Sequence, residues 1–299
     1  MPMSLPDFRS SPHYKTKDLI KIQLGRWVYP QATARWLNYI GEHPFLTAGL
    51  MRQPKLFTKI LRPYLVDTLS CGQRVDALME HYELVQALGL TQLVAQAMAD
   101  KVSLYEGPTK SGERFGIDLS ATWQGQREGE FCLSLLYKQE TLFEINMTLQ
   151  THQGQRVLVV GRLQGTSRDD AQQWVRQATT DLHALRPVNV MLHAARNVAF
   201  LLGCQSVRMV SNKNRVALNL WRRWRITANY DKTWTEAGAH LASDGFYEIE
   251  PLAEKEIDLN EIASKKRAEA KRKQALLNDM YAGLKTFFEE HRDDATVGA

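Results

Sequence analysis

Cysteine is scarce in this chain of 299 residues. Its three cysteines, Cys71, Cys132 and Cys204, stand far apart and form no CxxC pair. That pattern argues against a zinc site and against an oxidising compartment. Cys132 and Cys204 sit inside apolar runs and read as small buried hydrophobes, and no metal site is expected. Long apolar runs are also missing. A membrane-spanning helix needs about 18 or more apolar residues in succession, whereas the best candidate, residues 188–203, contains His193, Arg196 and Asn197. The N-terminal residues show no basic segment followed by an apolar one, so no secretory signal and a cytoplasmic location are expected. No HExxH, GxSxG or P-loop pattern occurs, and no internal repeat.

What is present is ordinary globular material. Hydrophobic residues make up 44% and charged residues 24%, enough for a core that relies on neither metals nor disulfides. The net charge of +5 permits contact with nucleic acid, anionic lipid or an acidic carrier and requires none of them.

The hydrophobic period changes along the chain. Residues 1–104 read as a helical N-terminal region, punctuated by Pro30, Pro44, Pro54 and Pro63. Residues 76–88 and 91–99 give the longest helical patterns, parted by Gly89. Residues 105–255 read as an α/β core. Strands are expected over 115–123, 131–138, 141–149 and 156–163, and their short links imply an antiparallel meander. Helices over 169–185 and 188–202 follow, the second restarted at Pro187. A strand over 206–211, a short helix over 215–224 and a strand over 246–249 come next. Residues 256–299 form a charged tail, helical over most of its length. The fold class is therefore α/β of the α+β type: a helical N-terminal region and a mainly antiparallel central sheet flanked by helices.

Three segments suggest chemistry. Arg162-Leu163-Gln164-Gly165-Thr166-Ser167 follows a strand and precedes a helix, where backbone N–H groups can hold a phosphate. The bland alternative is a strand–helix turn that needs Gly165 for backbone freedom. Trp221-Arg222-Arg223-Trp224-Arg225 could bind phosphates and stack on rings, or place its tryptophans in the core with the arginines reaching out. Lys265, Lys266, Arg267, Lys271, Arg272 and Lys273 make a basic helical stretch, read either as a solvated face or as a weak contact for anionic lipid or nucleic acid. His81, beside Tyr82, is read as a structural histidine with a site role as the alternative.

The 162–167 segment resembles the pyrophosphate loop of GCN5-related acetyltransferases, with Ser167 where that loop has glycine or alanine. The resemblance implies an acyl donor, on coenzyme A or an acyl carrier, with Arg162, Gly165 and Ser167 at its pyrophosphate. It also implies Tyr230 as the acid that protonates the departing thiolate. A second resemblance covers nearly the whole chain. It is carried by Lys59-Ile60-Leu61-Arg62-Pro63-Tyr64-Leu65, His81-Tyr82, Gly161-Arg162-Leu163-Gln164-Gly165, Arg186-Pro187, Val210-Ser211-Asn212, Tyr230-Asp231-x-x-Trp234 and Ser264-Lys265-Lys266-Arg267-Ala268. In order and spacing these are similar to the bacterial VirK/YbjX family. That resemblance implies a role in virulence, envelope integrity and resistance to cationic antimicrobial peptides. It supplies no reaction. Two function classes stay open: an acyltransferase, and a non-catalytic binding or regulatory protein of the envelope-stress response.

Overall fold

The computed structural model describes residues 16–121, 127–216, 229–254 and 262–292. The tryptophan–arginine segment 221–225 and residues 256–261 of the tail lie outside them.

The N-terminal region is helical, as its period requires: α1 (Thr16–Val28), α2 (Pro30–Glu42), α3 (Pro44–Arg52), α4 (Cys71–Ala87) and α5 (Thr91–Ala99). Pro30 and Pro44 open α2 and α3 rather than break them, because the first helical turn has no use for the missing N–H. Between α3 and α4 lie two 3-10 turns, Pro54–Leu56 and Lys59–Leu61. A capping box starts α4. Ser70 Oγ accepts from the Gln73 N–H, and Gln73 Oε1 accepts from the Ser70 N–H.

Strands β1 (Val102–Pro108), β2 (Arg114–Ala121), β3 (Phe131–Tyr137), β4 (Glu140–His152) and β5 (Gln155–Gly165) form the expected antiparallel meander. Helices α6 (Ala171–Asp181) and α7 (Pro187–Leu201) then carry the chain to β6 (Ser206–Val210), which lies parallel to β5. After α8 (Tyr230–Glu236), the hairpin β7 (His240–Leu241) and β8 (Phe246–Ile249) completes the sheet. The strand order is β1-β2-β3-β4-β5-β6-β8-β7, so the returning strand inserts beside β6 and leaves β7 at the edge. Helix α9 (Ser264–Glu290) packs on β1 and α7. Strand β3 is buried at six of its seven positions, the mark of a sheet covered on both faces. The cover comes from α4 on β4, α5 on β2 and α7 on β3 and β4. A single hydrophobic core runs from Ile22 in α1 to Phe288 in α9.

The elements differ from the sequence reading in three places. The residues read as a Gly107–Pro108 turn end β1 instead, and an edge strand tolerates a proline, which has no N–H to offer, because its outer side has no neighbouring strand. Helix α8 was not expected. At 215–216 the chain does not enter a helix: Arg215 makes an isolated antiparallel bridge with Val66.

Candidate functional site

Strands β5 and β6 pair only from Val157–Ser206 to Val160–Met209. Beyond that point β6 ends at Val210 while β5 runs five residues further, to Gly165, still paired with β4. The two parallel strands therefore part. The parting coincides with a bulge. Asn146 pairs with Arg162 and Met147 with Val160, which leaves Gly161 as the extra residue. A side chain at Gly161 would run into the backbone of Glu128, so only glycine fits this close approach.

Tyr230 fills the gap. Its hydroxyl accepts from the Leu163 N–H at 2.9 Å and donates to the Leu163 carbonyl at 3.1 Å. Both strand-edge groups that β6 no longer reaches are thus met by one side chain, and the ring is only 3% exposed. The Arg215 guanidinium stacks on that ring, 3.6 Å from its centre, and Trp234 lies 5.2 Å away on the next turn of α8.

A short network fixes the tyrosine. Asn212 Oδ1 accepts from the Tyr230 N–H at 2.9 Å, and Asp231 Oδ1 accepts from the Asn212 N–H at 2.8 Å. Asn229 caps α8 by accepting from the Lys232 N–H, and it also accepts from Asn212 Nδ2. The Trp234 indole N–H donates to the Val210 carbonyl at 2.9 Å. The turn after β6 and the start of α8 are one clasped unit.

A second polar cluster lies under the neighbouring strands. Lys59 forms a buried ion pair with Glu130 and donates to the Gly129 carbonyl at 3.2 Å. Tyr82 donates to Glu130 at 2.7 Å, and Tyr64 reaches Thr148 at 3.4 Å. Burial, and then the Glu130 charge, push both phenols well above their ordinary range. His81 accepts the Leu149 N–H on Nδ1 at 3.0 Å, which leaves the proton on Nε2. Burial and then the Lys59 charge pull His81 down to about 3, so it is neutral. The clusters adjoin: the Leu65 N–H donates to the Arg127 carbonyl, Val66 bridges Arg215, and Glu128 abuts Gly161. Leu65 has φ 59°, a left-handed conformation that costs a leucine strain.

The residues singled out in the sequence fall as follows. Arg162 and Gly165 are on β5 itself. Arg162 turns towards β4, donating to Asn146 at 3.0 Å and contacting Glu144 and Gln164. Gly165 has extended backbone and pairs with Phe143, so the backbone freedom expected of it is not used; the glycine this region requires is Gly161, for the close approach of Glu128. Ser167 is exposed, four residues before α6 begins. The cation beside it, Arg168, pairs with Glu140 and Asp170. Tyr230 is in the first turn of α8, not beyond the last helix. Among the described residues, no group of three or more histidine, cysteine or carboxylate side chains is placed to hold a metal. The sequence reading missed Gly161, Asn212 as a clasp and the Lys59–Glu130 pair, and it set Arg215 on a helical face with Arg222 and Arg225 rather than over the Tyr230 ring. The available signal was a lysine opening the apolar run Lys59-Ile60-Leu61, where a solvated residue is out of place.

Comparison with known proteins places this geometry in a lineage. The family model described as "Protein of unknown function (DUF535)" matches residues 13–286. The chain is 30% identical over 276 residues to "Uncharacterized protein YbjX" of Escherichia coli K12, covering 90% of this chain and 82% of that one. Two Haemophilus influenzae proteins, each named "Uncharacterized protein", are 23% identical over 256 residues and 25% identical over 249. The first match covers 85% of both chains, the second 82% of this chain and 80% of the relative. No solved structure matches. With the family model spanning most of its length and the YbjX likeness spanning nine-tenths of it, the chain belongs to the DUF535 family, that of the VirK/YbjX proteins.

Proposed function

We propose that the protein is an acyltransferase whose acyl donor, carried on coenzyme A or on an acyl carrier, enters the opening between β5 and β6. One observation carries the reading: two parallel strands part beside a bulge, and the Tyr230 hydroxyl meets the N–H and C=O that Leu163 turns into the gap. The resemblance to GCN5-related acetyltransferases implies this order of meander, crossover, parallel strand, helix and strand.

An amide in the donor's arm carries one N–H and one C=O, the complement of the Leu163 pair. Its insertion displaces the Tyr230 hydroxyl and leaves it beside the thioester. An amine or hydroxyl on the acceptor attacks the thioester carbonyl, and the carbon–sulfur bond breaks. Tyr230 gives its proton to the leaving thiolate and regains one from the acceptor nitrogen or oxygen. Arg215, stacked on the ring, holds the ring in place. Arg162, Gly165 and Ser167 are assigned to the donor's pyrophosphate end. For that role Arg162 exchanges its contacts with Glu144 and Gln164 for phosphate. Envelope integrity and resistance to cationic peptides are the physiological setting we assign to the reaction.

The second reading, a non-catalytic protein of the same setting, is favoured by the burial of Tyr230 and by the use of both its hydrogen bonds. Thermal shift with acetyl-CoA and longer acyl-CoAs separates the two. A donor at about 100 times its dissociation constant stabilises the fold by about 2.7 kcal/mol. No shift with any acyl-CoA or acyl carrier favours the second reading.

A further inference from the structure

Helix α1 has two apolar faces where a surface helix of a globular protein has one. Asp18, Ile22 and Gly25 face inward and are buried. Ile20, Leu24, Trp27 and Val28 recur at spacings of four, three and one, a stripe about 100° wide, and point the other way, with Trp27 82% exposed. With Tyr29 at the end of the helix they make five of the seven large exposed hydrophobics among the described residues. The remaining two, Phe200 and Leu241, lie on separate elements.

The composition of the face identifies its occupant. Lys17, Lys21 and Arg26 are the basic residues of α1, and its single acid, Asp18, is buried against Lys21 at 3.3 Å. Exposed tryptophan and tyrosine beside leucine and isoleucine, bordered by cations, is the pattern of a helix lying in a lipid–water interface. Protein partners select against lysine at the contact core. Between α1 and the Lys59–Leu61 turn opens a cavity of about 340 Å³, lined by Leu24, Val28, Tyr29 and Leu61 with Lys21 and Arg62. It joins apolar walls to two cations, the requirements of an acyl chain with a phosphate above it.

We propose that the outward face of α1 and the cavity at its foot form a docking surface for an anionic lipid bilayer, with the cavity receiving an acyl chain of one anionic phospholipid. The surface shares no residue with the Tyr230 junction and is independent of the acyltransferase reading.

The test is co-sedimentation of the full chain with vesicles of phosphatidylcholine alone and of phosphatidylcholine mixed with phosphatidylglycerol. Binding is expected only with the anionic lipid, and a portion of it survives high salt because the stripe is apolar. Leu24→Ser combined with Trp27→Ser is expected to lower partitioning by roughly tenfold or more, with the melting profile unchanged because both residues are exposed. Lys265→Gln with Lys266→Gln and Arg267→Gln is expected to retain most of the binding. Trp27→Phe, which keeps an aromatic ring, gives a second readout: quenching of the wild type by brominated phospholipid falls in this variant. The proposal is overturned by absence of vesicle binding. It is also overturned by binding that follows the Lys265–Arg267 variant and ignores Leu24 and Trp27, or by a dimer that Leu24→Ser dissociates while vesicles stay unbound.

Discussion

Tyr230 does with one hydroxyl what a neighbouring strand does elsewhere in the sheet. That changes the meaning of its simplest variant. If the ring merely packed the sheet face, Tyr230→Phe would leave stability intact. In the observed geometry it strips both bonds from the Leu163 backbone in a buried place. An unmet buried polar group costs about 1–3 kcal/mol, so the unfolding free energy is expected to fall by about that amount, read as a lower urea midpoint with an unchanged slope. If the acyltransferase reading holds, turnover is lost as well, and by more than the stability change explains. His81 offers a test by pH. Its folded value of about 3 lies below its unfolded value, so the unfolded chain takes up the proton first. Its contribution is whole above about pH 6.5, declines as pH falls towards 3, and changes no further below that. The slope approaches about 1.4 kcal/mol per pH unit. His81→Gln keeps an acceptor for the Leu149 N–H and does not titrate. Unfolding curves for the two proteins are expected to converge as pH falls through that window. Parallel curves would exclude a buried neutral histidine.

At the scale of elements, the clasp between the turn after β6 and α8 decides whether the tyrosine is placed at all. Helix α8 has seven residues, among them Tyr230, Thr233, Trp234 and Thr235, which favour helix weakly. It exists because Asn229 caps it and Asn212 and Asp231 tie it to the turn. Asn212→Ala removes the two hydrogen bonds its side chain makes, to Asn229 and from the Tyr230 N–H, and keeps the one its backbone N–H donates to Asp231. Amide exchange is expected to quicken through 230–236 and not in β3 or β4, and acyl-donor binding to weaken with it. This is also where reading the sequence reached its end. The meander strands and the long helices were legible because apolar residues recur with period two or near 3.6 over enough positions. Strand β1 was obscured by Gly107 and Pro108, which read as a turn away from their sheet. Helix α8 is too short to show a period; its cap, Asn229, is adjacent, but the tie from Asn212 to the Tyr230 N–H comes from eighteen positions away and leaves no local signature. The bulge at Gly161 was not foreseen for the same reason. Gly161 is needed because Glu128 comes close, and that contact is thirty-odd residues distant in sequence.

Over the whole molecule, the core is continuous from α1 to α9. A charged tail suggests an appendage, and only the first half of α9 behaves as one: Lys265, Lys266 and Arg267 are exposed, while Leu276, Met280, Leu284 and Phe288 are buried. Leu284→Ala is therefore a core substitution, expected to cost about 2–5 kcal/mol. Thermal melting should stay a single transition, shifted downward as a whole. A separate early step with the main transition unmoved would show that α9 folds apart from the rest. The burial of that half of α9 was readable from its apolar spacing. Its seat on β1 was not, because nothing in residues 264–290 names a partner strand.

That seat joins parts of the chain far apart in sequence. Tyr105 on β1 donates to Asp279 on α9 at 2.6 Å across 174 residues, and Gly283 lets the helix close on the Tyr105 ring. A ribosome adding about 5–20 residues per second needs roughly 9–35 s to pass from the first partner to the second. Throughout that interval β1, an edge strand with half-made apolar contacts, waits for a lid that has not been synthesised, and unprotected edges recruit other chains. The synthesis of α9 thus sets the moment at which the first strand becomes safe. A premature stop between β8 and α9 leaves a nascent chain whose strands are all made and whose exposed margin is open to chaperone or aggregate.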